Sequence, residues 1–125
     1  MTEERQPVVC IVDDDESVRE SLPDMLRQLG FAAEAFPSAE AFLASDVMGR
    51  TSCLILDVVM PGMSGPDLQR ELTTRRQVIP IVFITATGDK AIRARLLSEG
   101  AVECLFKPFS EAALVDALDA ALRMR

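Results

Sequence analysis

VVCIVDDD at residues 8–15 and CLILD at residues 53–57 decide the fold, because the two stretches are built alike. Each is a short aliphatic run without a charge inside it, and each stops abruptly on aspartate. A strand that is apolar on both faces is buried on both faces, which is the signature of a parallel sheet covered by helices above and below. Similar runs lie at Ile79–Ile84 and Val102–Phe106, with a weaker one at Phe31–Phe36.

Between these runs the apolar spacing becomes helical. Val18, Leu22, Met25, Leu26 and Leu29 recur with the helical period, and Gly30 closes the segment. Ser38 N-caps a short helix through Phe42 and Leu43, and Ser64 with Asp67 forms a capping box with Pro66 early in the next helix. A fourth helix runs over Lys90–Glu99 to Gly100. The last starts after Ser110 and carries Ala113, Leu114, Ala117, Leu118, Ala121 and Leu122. Pro23 is expected to interrupt and kink the first helix, since it removes a backbone donor. Strand and helix alternate throughout. The fold class is therefore α/β, a doubly wound (βα)5 arrangement of the flavodoxin-like type. Its parallel five-stranded sheet follows the order 2-1-3-4-5 that right-handed crossovers allow. No repeat or linker breaks the pattern, so residues 1–125 are read as one domain.

Composition narrows the chemistry. With 49% hydrophobic and 26% charged residues the chain is neither disordered, collagenous nor coiled coil. No apolar run approaches the ~18 residues of a membrane span, and no basic-then-apolar leader is visible, so a cytoplasmic protein is expected. Thirteen basic against 20 acidic residues give a net charge of −7, which repels a nucleic-acid backbone. Cys10, Cys53 and Cys104 each lie in an apolar run without a CxxC pair, and read as reduced core thiols. Histidine is absent, which removes His-based triads, His–zinc sites and imidazole bases together.

In a doubly wound sheet, ligands bind beyond the carboxyl ends of the strands. Strand 1 ends in Asp13-Asp14-Asp15, strand 3 in Asp57, strand 4 in Thr85 and strand 5 in Lys107-Pro108. Strands 1 and 3 are neighbours in the expected order, so Asp13, Asp14 and Asp57 converge. Such a cluster needs a cation, and oxygen ligands suit Mg²⁺ or Mn²⁺. Lys107 adds a positive charge and Thr85 a hydroxyl, while Asp15 reads as a helix cap.

IVDDD, LILDVVMPGMSG, FITAT and KPF, in that order, resemble a bacterial two-component response-regulator receiver domain. The resemblance runs from about Val8 to Leu122. VRESL, PSAEAFL, MPGMSG and GAVECLFKPF are most similar to the FixJ-like branch. It implies phosphorylation of an aspartate by the phosphohistidine of a sensor histidine kinase, and a phosphorelay function in transcription control. On matching positions Asp57 is the acceptor. Asp14 ligates the metal directly, Asp13 acts largely through water, and the Val59 backbone carbonyl completes the set. Thr85 and Lys107 contact the phosphoryl oxygens. Val59 and Thr87 tune dephosphorylation by controlling water, and Lys107-Pro108 resembles the family's cis peptide. Ala86 and Gly88 leave room for the phosphoryl group, and Gly62 and Gly65 give the loop after Asp57 freedom to bend around a donor.

One position departs from the family. Cys104 stands where a rotating Tyr or Phe is usual, and reads as a small residue at the sheet edge. The resemblance further implies an output through the face of helix 4, strand 5 and helix 5, with a phosphorylation-dependent homodimer there. In it Arg93 or Arg95 faces Asp116 or Asp119 of the mate. The end at Leu122–Arg125 fits a single-domain regulator or a piece of a longer parent carrying a DNA-binding output domain. Two rivals remain: a pseudo-receiver that binds partners without phosphorylation, and a small Mg-dependent aspartyl-phosphate phosphatase. The latter lacks its usual second acid, since Val59 holds that position.

Overall fold

In the computed structural model, which describes residues 6–123, the strands are β1 (Val8–Val12), β2 (Ala32–Phe36), β3 (Cys53–Asp57), β4 (Ile81–Thr85) and β5 (Glu103–Phe106). All pairings are parallel and the order is β2-β1-β3-β4-β5, as the apolar runs predicted. Both ends of the expected 1–125 domain, including Met124 and Arg125 of the terminal run, lie outside the described residues.

Side chains alternate between two cores. Val9, Ile11, Cys53, Ile55, Val82 and Ile84 face α1 (Glu16–Gln28) and α5 (Glu111–Arg123), meeting Leu22, Leu26, Leu114 and Leu118. Cys10, Val12, Leu54, Leu56 and Phe83 face the other way, toward Phe42, Leu68, Leu72 and Leu96. Those residues sit on α2 (Ala39–Leu43), α3 (Gly65–Thr74) and α4 (Lys90–Ser98). Leu54, Ile55 and Leu56 are wholly enclosed, and each such side chain contributes about 1.5–3 kcal/mol over its exposed state. This double burial holds β3 rigid up to its last residue, Asp57.

The caps fall where the residue types placed them. Ser38 Oγ accepts from Ala41 N at 3.1 Å, and Ser64 and Asp67 bond reciprocally at 3.2 Å. Asp89, which the sequence reading did not single out, caps α4 by accepting from Ala91 N at 2.9 Å. Gly30 and Gly100 follow α1 and α4 with φ of +99° and +110°. After α3 the same left-handed position is held by Arg76 at φ 59°, with Gln77 N donating to Leu72 O at 2.9 Å. An arginine thus does a glycine's work there.

Two expectations are corrected. Helix α1 runs unbroken through Pro23, which is buried with Leu22 and Leu26; packing on the sheet holds the helix together where local propensity alone predicts an interruption. Strand β4 begins at Ile81 instead of Ile79, because Pro80 has no N–H to give the ladder. A short 3₁₀ turn at Met48–Arg50 precedes β3 and had no signature in the sequence.

Candidate functional site

Register brings the site together. Val12 pairs with Leu56, so one residue further on Asp13 and Asp57 leave neighbouring strands side by side. Asp57 pairs with Ile84 and Thr85 with Phe106, which places Thr85 and then Lys107 at successive strand ends. Alternation decides which of them meet. Asp13, Asp57 and Lys107 share the parity that faces α1 and α5, whereas Thr85 has the opposite parity. Accordingly Lys107 Nζ lies 2.8 Å from Asp13 Oδ2 and 3.9 Å from Asp57 Oδ2. The Thr85 hydroxyl instead accepts from Thr87 N at 3.2 Å.

Asp13, Asp14 and Asp57 each offer an oxygen within 4.8 Å of the others. They differ in burial: Asp13 is 0% and Asp57 7% exposed, while Asp14 is open to solvent. Asp13 is fully engaged, since its Oδ1 accepts from Asp15 N at 2.9 Å and its Oδ2 holds Lys107. Burial first, and then the charge of Asp13, pushes the Asp57 carboxyl up to about 7. Burial works against the Lys107 ammonium, yet its bond to Asp13 and the charge of Asp57 outweigh it and hold its pKa above the ordinary value. Two buried carboxylates and an exposed one, all offering oxygen donors, suit a hard divalent cation such as Mg²⁺ or Mn²⁺. Asp15 is the α1 cap as expected, accepting from Ser17 N at 2.9 Å, and its carboxyl is held low chiefly by the Ser17 hydroxyl.

The loop from β3 to α3 frames the acceptor side. Val58 N donates to Ile84 O at 3.1 Å and Gly65 N to Val58 O at 3.0 Å, closing the loop at its base. Val59 points outward, 69% exposed. The two loop glycines play different roles. Gly62 is left-handed at φ +74°, but Gly65 is there for lack of room: a Cβ on it would stand 2.3 Å from the Asp57 carbonyl oxygen. Beyond β4, residues 86–90 are exposed, and nothing lies within 4 Å of a Cβ built on Gly88. The Lys107–Pro108 peptide is cis.

At the outer edge of the sheet, Cys104 is buried at 2% exposure. Its carbonyl accepts from Arg93 Nε at 3.2 Å and its N–H donates to Glu103 Oε1 at 2.9 Å. Arg93 also pairs with Glu103. Of Arg93 and Arg95, either of which was expected to face an acidic group of a mate, Arg93 is engaged on its own β5 in this chain. The sequence reading also missed Arg19, which donates to the Asp13 carbonyl at 3.1 Å, and Glu40, which bonds Met63 N at 3.2 Å. Neither has a local signature, because the bonds join separate elements. All three thiols are buried and free, and burial pushes Cys10 up to about 11 and Cys53 up to about 12, as inert core thiols require.

Comparison with known proteins agrees with this geometry. A family described as response regulator receiver domain matches residues 9–119. The response regulator protein TodT of Pseudomonas putida is 42% identical over 121 residues, covering 97% of this chain and 53% of TodT. Among solved structures, the response regulator StyR is 48% identical with a TM-score of 0.87, over 96% of this chain and 61% of that one. The crystal structure of FixJ-N is 37% identical with a TM-score of 0.86, over 98% of both chains. The chain spans about half the length of the curated relatives it matches. No helix among the described residues is long and apolar enough to cross a membrane.

Proposed function

The chain belongs to the response regulator receiver domain family, a family of signalling domains, and from that membership we propose that Asp57 accepts a phosphoryl group from the phosphohistidine of a sensor histidine kinase. The observation that supports this most directly is the Asp13–Asp57–Lys107 arrangement, with the lysine 2.8 Å from one carboxylate and 3.9 Å from the other. In the reaction an Asp57 carboxylate oxygen attacks phosphorus, a P–O bond forms and the P–N bond to imidazole breaks. Phosphoryl transfer depends on positioning and charge neutralisation. A bound Mg²⁺ or Mn²⁺ supplies charge neutralisation for the incoming phosphate. Asp14, Asp57 and the Val59 carbonyl are the protein groups to hold it. Asp13, whose oxygens already serve Lys107 and Asp15, acts through water.

Lys107 and Thr85 take the phosphoryl oxygens. For Thr85 this means turning its hydroxyl from Thr87 N–H toward the acceptor, a rotation that draws the loop after β4 inward. Beside Lys107 lies a hollow of about 250 Å³ lined by Val18, Leu22, Met25 and Phe109. The phosphorylated chain signals through the α4–β5–α5 face, forms a homodimer there, and in a longer parent controls a DNA-binding output domain in the cytoplasm. It acts as a switch and catalyses only its own phosphorylation and dephosphorylation.

Intact mass after incubation with phosphoramidate and Mg²⁺ tests the reading. One added phosphoryl group that disappears in Asp57→Asn is the expected result. Persistence of the label in that variant refutes the acceptor assignment, and the absence of any label in wild type favours a pseudo-receiver.

A further inference from the structure

We propose that Glu40, on the short helix α2, is a positioning residue for the Asp57 site: its carboxylate holds the tip of the β3–α3 loop and thereby fixes the backbone that presents the Val59 carbonyl. The inference rests on the phosphoacceptor reading above and names a residue that reading does not use.

The loop leaves β3 directly after Asp57 and returns against it, since Gly65 packs on the Asp57 carbonyl. Its base is closed by backbone bonds from Val58 N to Ile84 O and from Gly65 N to Val58 O, and the Met60 side chain is sunk in the core. The tip, Pro61 to Met63, lies beyond those backbone anchors, with the Met63 side chain packed partly against the core. There the Met63 N–H donates to Glu40 Oε2 at 3.2 Å, across 23 residues of sequence. The backbone is shaped to admit that carboxylate. Gly62 is left-handed at φ +74°, and a Cβ on it would stand 3.0 Å from Glu40 Oε2. The donor end and the open glycine face thus both turn toward the same oxygen.

Glu40 is itself well placed to act as a fixed post. Helix α2 is capped by Ser38 at 3.1 Å, and its Ala39 and Phe42 are fully buried. The Glu40 side chain stays exposed, so it contributes little to the core. A hydrogen bond to a charged acceptor restricts the loop, while its loss leaves the fold intact. Freed at the tip, the loop samples positions in which the Val59 carbonyl is turned away, and groups that orient a metal ligand affect metal affinity in just this manner.

Three variants test this: Glu40→Ala, Glu40→Gln, which keeps an acceptor oxygen, and Gly62→Ala, which crowds the carboxylate. Amide hydrogen exchange of Met63 is measured in metal-free protein, Mg²⁺ affinity by titration calorimetry, and labelling rate with phosphoramidate across Mg²⁺ concentrations. In Glu40→Ala the Met63 amide exchanges about tenfold faster. Mg²⁺ binds about threefold more weakly, and labelling slows at low Mg²⁺ but recovers at saturation. The melting temperature is unchanged. Glu40→Gln restores affinity and rate, and Gly62→Ala weakens Mg²⁺ binding as Glu40→Ala does but also lowers the melting temperature, because alanine is strained at φ +74°. Wild-type Mg²⁺ affinity and labelling in Glu40→Ala overturn this inference alone, whatever the exchange rate. A wild-type protein that binds no Mg²⁺ overturns the phosphoacceptor reading and this inference with it.

Discussion

Lys107 Nζ is more than an ångström closer to Asp13 Oδ2, at 2.8 Å, than to Asp57 Oδ2, at 3.9 Å. The lysine therefore neutralises the enclosed neighbour of the acceptor, leaving the acceptor itself underserved. A phosphoryl group on Asp57 brings charge that competes for the same ammonium. That change of partner is the differential contact a two-state switch requires.

Removing the lysine exposes both roles. Lys107→Met leaves the buried Asp13 without its cation, and in metal-free buffer at pH 8 it costs about 3 kcal/mol of stability, read by denaturant titration. The variant still binds Mg²⁺ and still takes label, but phosphorylation no longer shifts the amide resonances of α4 and α5. Wild-type shifts in the labelled variant assign the coupling to another residue.

The raised Asp57 carboxyl has a definite pH signature. Its folded value of about 7 stands above the ordinary aspartate value of 3.8, so the native state holds the proton more tightly than the unfolded chain. Stability from this group is full below about pH 4 and is lost as pH rises through about 7. Asp57→Asn escapes that loss. In metal-free buffer it melts higher than wild type at pH 8, by an amount worth at least about 1 kcal/mol, and the gap narrows steadily as pH falls from 7 toward 4. Mg²⁺ competes with the same proton, so its affinity for wild type climbs between pH 6 and 8 and then levels. A pH-independent gap in melting temperature contradicts this account.

Backbone positions give two opposite outcomes. Arg76 sits left-handed at φ 59° in a place suited to glycine, and Arg76→Gly stabilises the chain by up to about 1 kcal/mol. Gly65→Ala forces a Cβ to 2.3 Å from the Asp57 carbonyl oxygen and destabilises by about 2 kcal/mol or more, since backbone must move to admit it. Thermal melts of both variants decide the signs.

The residues that the sequence revealed and those it concealed divide along a physical line. Apolar runs ending on charge gave β1, β3 and their register, and hence the meeting of Asp13 with Asp57. Capping residues gave the starts of α2 and α3, because caps are local chemistry. What stayed hidden depends on distance in sequence. Nothing in VDDD distinguishes the enclosed Asp13 from the open Asp14; the sheet parity does. Gly65 reads as a flexible residue until the Asp57 carbonyl is seen against it. Pro23 reads as a break until Leu22 and Leu26 are seen packed on the sheet. The Arg93–Glu103 and Glu40–Met63 contacts join elements whose spacing no motif records.

The proposed homodimer takes its charge register from α4. With Arg93 engaged on Glu103 and Cys104, the charge available to a mate on α4 is Arg95. Its side chain is 74% exposed and only loosely paired with Glu99 at 3.6 Å. Leu96 is buried, while Ile92 and Leu97 are partly covered and leave apolar area at the surface. Burial of that area supplies the driving force, and charge sets the register. Asp116 and Asp119 on α5 are exposed and acidic, and so complement Arg95. Sedimentation with beryllofluoride and Mg²⁺ then shows a dimer for wild type, a monomer for Arg95→Glu, and partial recovery for Arg95→Glu combined with Asp119→Arg. The pairing weakens with added salt, as an exposed charge pair does. A dimer undisturbed by Arg95→Glu moves the interface away from α4, and recovery only with Asp116→Arg shifts the contact one turn toward the start of α5.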